Sequence, residues 1–235
     1  MALSQLSAAD SIAPIADERA YFSRVFGWMA AGLALTGAVA YLIGTSSATL
    51  HVLLTGNGRI LLIVAVVIEL VLVAVLVGLV QHMNVTDAAL IFLAYAALNG
   101  VVLSLIFAVY TTQSIFSTFL IAAAMFAGLA IWGYTTKADL TGWGSFLLMA
   151  LFGQLIGLVV NFFWLNQTFY WITTATGILI FSAYTAYDVQ RLKRFDVPGK
   201  SAEAVQKEAI VGALALYLDL VNVFLYLLRI FGRRR

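Results

Sequence analysis

The chain has 235 residues, of which 63 % are hydrophobic and only 10 % are charged, and its formal net charge is +2. Soluble globular domains contain about 45–50 % apolar and about 25 % charged residues, so this composition excludes an ordinary soluble fold and predicts a polytopic membrane protein. The small net charge gives no indication of a nucleic-acid partner. The absence of cysteine excludes disulfides and thiolate metal sites.

The first 24 residues are predicted to form a cytoplasmic N-terminal tail. Residues 1–20, MALSQLSAADSIAPIADERA, are polar and acidic, and they lack the basic start and the immediate apolar run of a signal peptide. The tail precedes a predicted seven-helix transmembrane domain, residues 25–235.

Seven segments of this domain have close to the roughly 20 apolar residues that a helix needs to cross the hydrocarbon core. Lipid offers no partners to backbone groups, so each segment must satisfy its own hydrogen bonds, which predicts an all-α fold. The predicted spans are residues 25–44, 60–80, 88–110, 115–134, 142–163, 170–187 and 209–231.

The links between the spans are short, with one exception. Residues 191–207 carry five of the thirteen Lys and Arg residues and are predicted to form one solvated loop, in which Ser201 is the candidate cap of an amphipathic lead-in to the last helix. The two histidines, His51 and His82, both fall in predicted loops, and their separation does not match the ligand spacing of a zinc enzyme.

The positions of lysine and arginine predict the topology. With the N-terminus inside, Arg19, Arg24 and Lys137 lie inside together with the long loop, whereas Arg59 is the basic residue of the outside links. The final arginines, residues 233–235, break this pattern. Seven full spans place them outside, and six spans with a re-entrant last segment keep them inside, and the sequence leaves both arrangements open.

Three acidic residues lie within or at the edge of the predicted spans: Glu69, Asp188 and Asp219. A carboxylate is so unfavourable in lipid that an intramembrane acid indicates a functional site. The alternative is a buried acid that pairs with an arginine or a helix end and only fixes packing. Asp219 shares its segment, ALALYLDLVNVFLYLLRIFG, with Asn222 and Arg229. These two residues, and the intramembrane acid Glu69, are candidate accessory residues.

Amide side chains within the spans are predicted to hold helices together. Asn99, Gln154, Asn161 and Asn222 are the residues of this kind, and interhelical hydrogen bonds are the commonest role of such groups in lipid. Substrate binding is the alternative.

Asp188 and Asp219 are predicted to form a pair. The sixth helix runs toward the inside and ends near Asp188, and the seventh helix returns from that side, so the two carboxylates can face each other. Asp219 lies about 15 Å past residue 209, deeper than Asp188. The pair therefore requires that the last helix begins well inside the cytoplasm, or that a watery vestibule reaches down to Asp219.

A close pair of carboxylates predicts a pH-sensing gate. Two adjacent negative charges repel, so the pair tends to hold one shared proton, which draws the two helices together. Loss of that proton leaves two charges that repel each other or recruit a hard cation such as Ca²⁺, which prefers oxygen ligands. Asp188 and Asp219 are therefore the predicted pH-sensing and ion-gating residues, and also the candidate metal ligands.

These stretches resemble the Bax inhibitor family, the transmembrane Bax inhibitor motif proteins and their bacterial relatives. The strongest match is GALALYLDLVNVFLYLLRIFG at residues 212–232, the second is FSAYTAYDVQRL at residues 181–192, and a weaker one is the acid Glu69 within VIELVLV. The short N-terminal tail and the lack of long loops resemble bacterial members, which implies the bacterial plasma (inner) membrane.

The resemblance implies a fold of seven helices in which the last helix is central and wrapped by the other six. It also implies a pH-dependent calcium leak gated by an aspartate pair, at whose motif positions Asp188 and Asp219 stand. Some relatives carry a basic residue in helix two that interacts with the gate region. Here no Lys or Arg follows Arg59 in that helix, and His82 is the candidate substitute.

Two other functions fit parts of the sequence. Bacterial relatives include a modulator, so the resemblance permits a non-conducting regulator that binds a membrane protein such as a quality-control protease. Tyr187-Asp188 resembles the YD element of intramembrane aspartyl proteases, but Asp219 follows LYL in place of GxG, and the two prolines, Pro14 and Pro198, form no PAL element. We therefore expect a non-enzymatic protein without a resident cofactor, whose partners are the lipid bilayer, Ca²⁺ or other cations and, under the alternative, a membrane protein.

Overall fold

The computed structural model describes residues 2–164, 166–195 and 199–235, with side chains from residue 18 onward except that of residue 162. In these ranges the protein is helical apart from short links and one isolated β-bridge. The helices are α1 (Ala2–Gly44), α2 (Ser47–Leu54), α3 (Gly58–Leu79), α4 (Val85–Leu103), α5 (Ile106–Val109), α6 (Thr112–Thr135), α7 (Trp143–Phe163), α8 (Gln167–Lys193) and α9 (Ala202–Phe231), and a 3₁₀ turn (Val80–His82) follows α3.

Six helices in the described ranges are long and apolar enough to cross a membrane, which confirms an all-α polytopic membrane protein. These spans are Glu18–Gly44, Gly58–His82, Val85–Val109, Thr112–Thr135, Trp143–Asn161 and Ala202–Phe231. The predicted count of seven is not confirmed. The predicted span at residues 170–187 is present as part of α8, which has 27 residues, but its many Thr, Ser and Tyr side chains lower its hydropathy.

The helices expose large apolar side chains on one face. On α3, the exposed residues Ile63, Val67 and Leu70 follow one another at helical spacing, and on α7 Phe152 and Ile156 do the same. Soluble monomers rarely expose contiguous apolar surface of this extent. These faces therefore contact lipid.

The N-terminal helix has no boundary at residue 24. α1 runs without a break from Ala2 to Gly44, and its apolar span begins at Glu18. The predicted tail is thus helical and continuous with the first span, and its cytoplasmic location stays a prediction.

A short helix, α2, occupies the link between the first two spans. Ser46 caps it, because its Oγ accepts a hydrogen bond from Thr49 N at 3.3 Å. His51 therefore lies in a helix, and the prediction that it lies in a loop is wrong. His82 closes the 3₁₀ turn after α3.

The predicted third span, residues 88–110, is interrupted between α4 and α5. Ser104 Oγ donates a hydrogen bond to Val101 O at 2.6 Å. A serine hydroxyl that bonds to carbonyl groups of its own helix competes with the helical ladder, which accounts for a break at this position.

The loop between α8 and α9 is shorter than the predicted 191–207. α8 continues to Lys193 and α9 begins at Ala202, and residues 196–198 lie outside the described residues. Ser201 is a cap, as predicted, because its Oγ accepts a hydrogen bond from Ala204 N at 3.2 Å. The prediction of a solvated Lys207 is wrong, because this residue lies within α9 and is buried.

The last helix is the most buried of the six candidate spans. In α9, 72 % of the apolar 18-residue stretch that defines the span is buried, against 11–33 % in the other five spans. α9 therefore contacts little lipid, as a helix with an internal acid requires. Its 30 residues form one unbroken helix, about 45 Å long. This length exceeds the roughly 30 Å hydrocarbon core and favours a full span over a re-entrant segment.

Helix packing divides the chain into two units. The first unit comprises residues 1–108 and 195–214, and the second comprises residues 109–194 and 215–235. In the first, α4 packs against both α1 and α3. In the second, α8 packs against α6 and α7, and Phe181 of α8 stacks on Tyr226 of α9 with ring centroids 6.0 Å apart.

Candidate functional site

Asp188 and Asp219 meet within the second unit. Asp188 lies on α8 and Asp219 on α9, and they are only 8 % and 4 % exposed. Asp188 acts electrostatically on Asp219, and both carboxylates act on the Tyr184 hydroxyl. α9 begins at Ala202, earlier than the predicted residue 209, which is the direction that the depth argument requires. The structure thus brings the predicted pair close enough to interact.

The two carboxylates have different surroundings. Asp219 Oδ2 is fully buried and has no hydrogen-bond partner among the described residues. Arg191, on the last turns of α8, acts electrostatically on Asp188. A buried carboxylate oxygen without a hydrogen-bond partner makes the ionised form costly, which distinguishes Asp219 from Asp188.

Hydrogen bonds fix the end of α8 that carries Asp188. The side chain of Gln190 exchanges two hydrogen bonds, both 2.8 Å long, with the backbone of residues 138–140. Arg194 Nη2 lies 2.6 Å from Asp139 Oδ1. These contacts anchor the last turns of α8 to the link between α6 and α7 and thereby hold Asp188 in position.

Glu69, a candidate accessory residue, belongs to the first unit. It is buried on α3, and both of its carboxylate oxygens lie 3.4 Å from Asn99 Nδ2 of α4, which donates to them. Asn99 therefore joins two helices, as predicted. This contact joins α3 and α4 within the first unit, whereas the aspartate pair belongs to the second.

The other accessory candidates, Asn222 and Arg229, both lie on α9. Asn222 Nδ2 donates a hydrogen bond to Leu218 O of its own helix at 2.8 Å. The guanidinium of Arg229 lies 4.9 Å from the ring centroid of Tyr226 and 5.5 Å from that of Tyr170. Arg229 is about 15 Å along the helix from Asp219, so the structure places it away from the aspartate pair.

Gln154 of α7 joins three helices of the second unit. Its Nε2 donates to Thr173 O of α8 at 2.7 Å and to the Tyr226 hydroxyl of α9 at 2.8 Å, and its Oε1 accepts from Thr176 Oγ1 at 2.9 Å. The predicted joining role is confirmed for Gln154. Asn161 on the same helix differs, because its Nδ2 has no partner among the described residues.

Replacing Gln154 with leucine is expected to lower the free energy of unfolding by about 2 kcal/mol, because interhelical hydrogen bonds in membranes average about 0.6 kcal/mol each and three are lost. The midpoint of SDS-induced unfolding in mixed micelles measures this change. The matched control is Asn161→Leu, which removes an amide from the same helix and should change the midpoint much less. Equal effects of the two substitutions would show that the network around Gln154 contributes nothing.

Lys207 is a buried charged residue that the sequence analysis missed. Its Nζ donates to Met83 O at 2.9 Å, lies 3.5 Å from Gln81 O, and is 3.1 Å from Glu203 Oε1. Carbonyls at a helix end carry partial negative charge, so Lys207 caps the end of the second span from α9. The i,i+4 spacing of Glu203 and Lys207 is the signal that could have extended the predicted helix. His82, the predicted basic substitute in this region, is exposed.

The aspartate pair is a sparse set of metal ligands. No group of three or more His, Cys, Asp and Glu side chains that could hold a metal ion occurs in the described part of the chain. Ca²⁺ takes 6–8 oxygen ligands, more than the carboxylates of Asp188 and Asp219 can supply. The two carboxylates alone therefore cannot complete the coordination shell of a Ca²⁺ ion.

Comparison with known proteins finds a family and relatives that match nearly the whole chain. The family described as "Inhibitor of apoptosis-promoting Bax1" matches residues 18–235. Inner membrane protein YbhL of Escherichia coli strain K12 is 42 % identical over 229 residues, which cover 96 % of this chain and 97 % of that protein. An uncharacterized protein of Borreliella burgdorferi is 38 % identical over 216 residues, 92 % of each chain. The chain, an all-α polytopic membrane protein, therefore belongs to the Bax inhibitor family.

Proposed function

We propose that the protein is a pH-sensitive cation leak channel, with Ca²⁺ as a permeant ion, gated by Asp188 and Asp219. The observation that supports this most is the buried carboxylate pair in which Asp219 Oδ2 has no hydrogen-bond partner among the described residues. A buried acid that serves only packing has its oxygens satisfied, as Glu69 has through Asn99. Asp219 departs from that pattern.

The pair works as a gate through repulsion between its two charges. While one proton is shared, the two carboxyl groups hold α8 and α9 together. Two unit charges about 4 Å apart repel by roughly 4 kcal/mol at an effective dielectric constant of about 20. Because about 1.4 kcal/mol changes an equilibrium ten-fold, loss of the shared proton supplies enough energy to separate the helices and admit a cation.

Arg191 modulates the response of the pair to pH, because its charge acts electrostatically on Asp188. The role involves no chemical reaction, so it is non-enzymatic. The relative YbhL is named an inner membrane protein, which supports the bacterial inner membrane as the location, and the distribution of basic residues supports a cytoplasmic N-terminus.

Flux measurements in liposomes test the proposal. The purified protein is reconstituted in liposomes that contain a calcium-sensitive dye, and the dye signal is followed after Ca²⁺ addition from mildly acidic to neutral pH. The proposal predicts entry above that of protein-free liposomes, increasing as the shared proton is lost. If entry equals that of protein-free liposomes at every pH, the channel is excluded, and the alternative of a non-conducting regulator that binds a membrane-protein partner gains support.

A further inference from the structure

The arginines at residues 233–235 have no part in the proposed gate. α9 is unbroken from Ala202 to Phe231, so these arginines lie at the opposite end of the helix from the loop that follows α8. That loop carries the basic residues expected of a cytoplasmic link. The same rule does not account for three arginines at the far end, so they require a separate explanation.

The backbone of residues 233–235 is held in place. Thr111 N donates a hydrogen bond to Arg233 O and Arg235 N donates one to Val109 O, both 3.0 Å long. Arg233 N donates to Ser114 Oγ at 3.1 Å, and an isolated antiparallel bridge forms between the two segments. The three side chains therefore project from a defined backbone against the start of α6.

No acidic side chain among the described residues forms an ion pair with these guanidinium groups. All three are exposed, and the ion pairs among the described residues include neither them nor Arg229, which lies one turn earlier. The second unit contains three acids, Asp139, Asp188 and Asp219. Asp139 pairs at the other end of α8, and the other two form the buried pair, so no acidic side chain of this unit lies beside the arginines.

Neighbouring residues define the depth of the cluster in the membrane. Ile230 and Phe231 on the last turn of α9, and Phe116 on the second turn of α6, are large, apolar and exposed. Such side chains contact hydrocarbon, and Trp164, 77 % exposed ahead of α8, is of the type that lies at the lipid interface. Residues 233–235 follow directly after this apolar band and therefore lie at the depth of the lipid headgroups.

We propose that residues 233–235 form a binding site for the phosphate headgroup of an anionic phospholipid. The guanidinium fork matches the geometry of phosphate oxygens, and clustered arginines beside a membrane span attract anionic lipids. A lipid whose phosphate contacts the arginines places its acyl chains against Phe116 and Phe231. Dissolved phosphate shares the headgroup chemistry but gains nothing from these apolar side chains, so the lipid is the assigned ligand.

Native mass spectrometry of the full chain tests this site. The protein is released from mixed micelles that contain phosphatidylglycerol and phosphatidylcholine in equal amounts, and the lipids retained are counted. Preferential retention of phosphatidylglycerol is expected. The triple change of residues 233–235 from Arg to Gln should reduce that preference at least about ten-fold, because each basic residue near an anionic surface contributes about five-fold. The triple change to Lys, which keeps the charge, should retain most of it.

A matched control removes the same charge elsewhere. The control variant changes three exposed basic residues to glutamine, namely Arg24, Lys137 and Lys200. It should bind phosphatidylglycerol like the unaltered protein. Unchanged retention in the Gln variant of residues 233–235 overturns the proposal, as does an equal loss in the control. Displacement by inorganic phosphate at the same concentration as the lipid overturns the assignment to a lipid, because a lipid site depends on acyl-chain contacts that free phosphate lacks.

Discussion

Asp219→Asn is expected to abolish the pH dependence of cation flux in liposomes. A gate of this kind needs the two carboxylates to interact by more than about one pKa unit, which is equivalent to about 1.4 kcal/mol. Flux should therefore rise about ten-fold or more between mildly acidic and neutral pH. Asparagine cannot ionise, so the variant never places two negative charges side by side, and its flux should stay near the low-pH value of the unaltered protein throughout.

The aspartates should also behave as one unit in a double-mutant cycle. Asp188→Asn should have the same effect as Asp219→Asn, and the double variant should add nothing to either, because each single change already breaks the charge pair. Glu69→Gln is the matched control. It neutralises another buried acid within a span, one whose oxygens are satisfied by Asn99, and should leave the pH profile intact. An unaltered pH profile in Asp219→Asn would exclude this gate.

Gly133→Val is expected to lower the free energy of unfolding by about 3 kcal/mol, at the upper end of overpacking costs. A Cβ at Gly133 on α6 would overlap the carbonyl oxygen of Ala186 on α8. Backbone atoms of a helix cannot rotate out of the way, so α6 and α8 must separate. Ala186 precedes Asp188 by two residues on α8, so a displacement of this helix should also disturb the aspartate pair. Unfolding in SDS mixed micelles measures the loss of stability.

Gly128→Val is the control for this prediction. Gly128 lies on the same helix, and a Cβ there meets no heavy atom within 4 Å. Valine has a somewhat higher helix propensity than glycine, so this variant should be neutral or slightly more stable. If both variants lose stability equally, the cost comes from the β-branched side chain and not from the contact with Ala186.

Some local features of the helices were not visible in the hydropathy pattern. The break between α4 and α5 depends on one serine hydroxyl at Ser104, and α2 depends on a cap at Ser46, within segments whose composition does not change. α8 shows the opposite problem. The predicted span at residues 170–187 lies within α8, but the Thr and Tyr side chains of this helix make it less apolar than the six candidate spans. These polar side chains face other helices.

Residues of the site were predictable to different degrees. Asp188 and Asp219 were found because an acid in an apolar segment is conspicuous, and because consecutive helices are usually neighbours in space. Lys207 was missed, since a lysine near a basic loop looks solvated until the fold brings the carbonyls of Met83 and Gln81 to it. Arg229 was grouped with Asp219 by sequence proximity, whereas a helix places them about 15 Å apart.

The sequence by itself determined that the protein lies in a membrane, that its fold is helical, and which segments carry Asp188 and Asp219. Hydropathy and the need of each segment in lipid to form its own backbone hydrogen bonds are local properties of the chain. Only the tertiary structure decided how each polar group is compensated. In the tertiary structure, Asn99 donates hydrogen bonds to Glu69, whereas Asp219 Oδ2 has no hydrogen-bond partner among the described residues. Backbone hydrogen bonds also hold residues 233–235 against the start of α6. These outcomes depend on contacts between residues far apart in the chain, which no local pattern encodes.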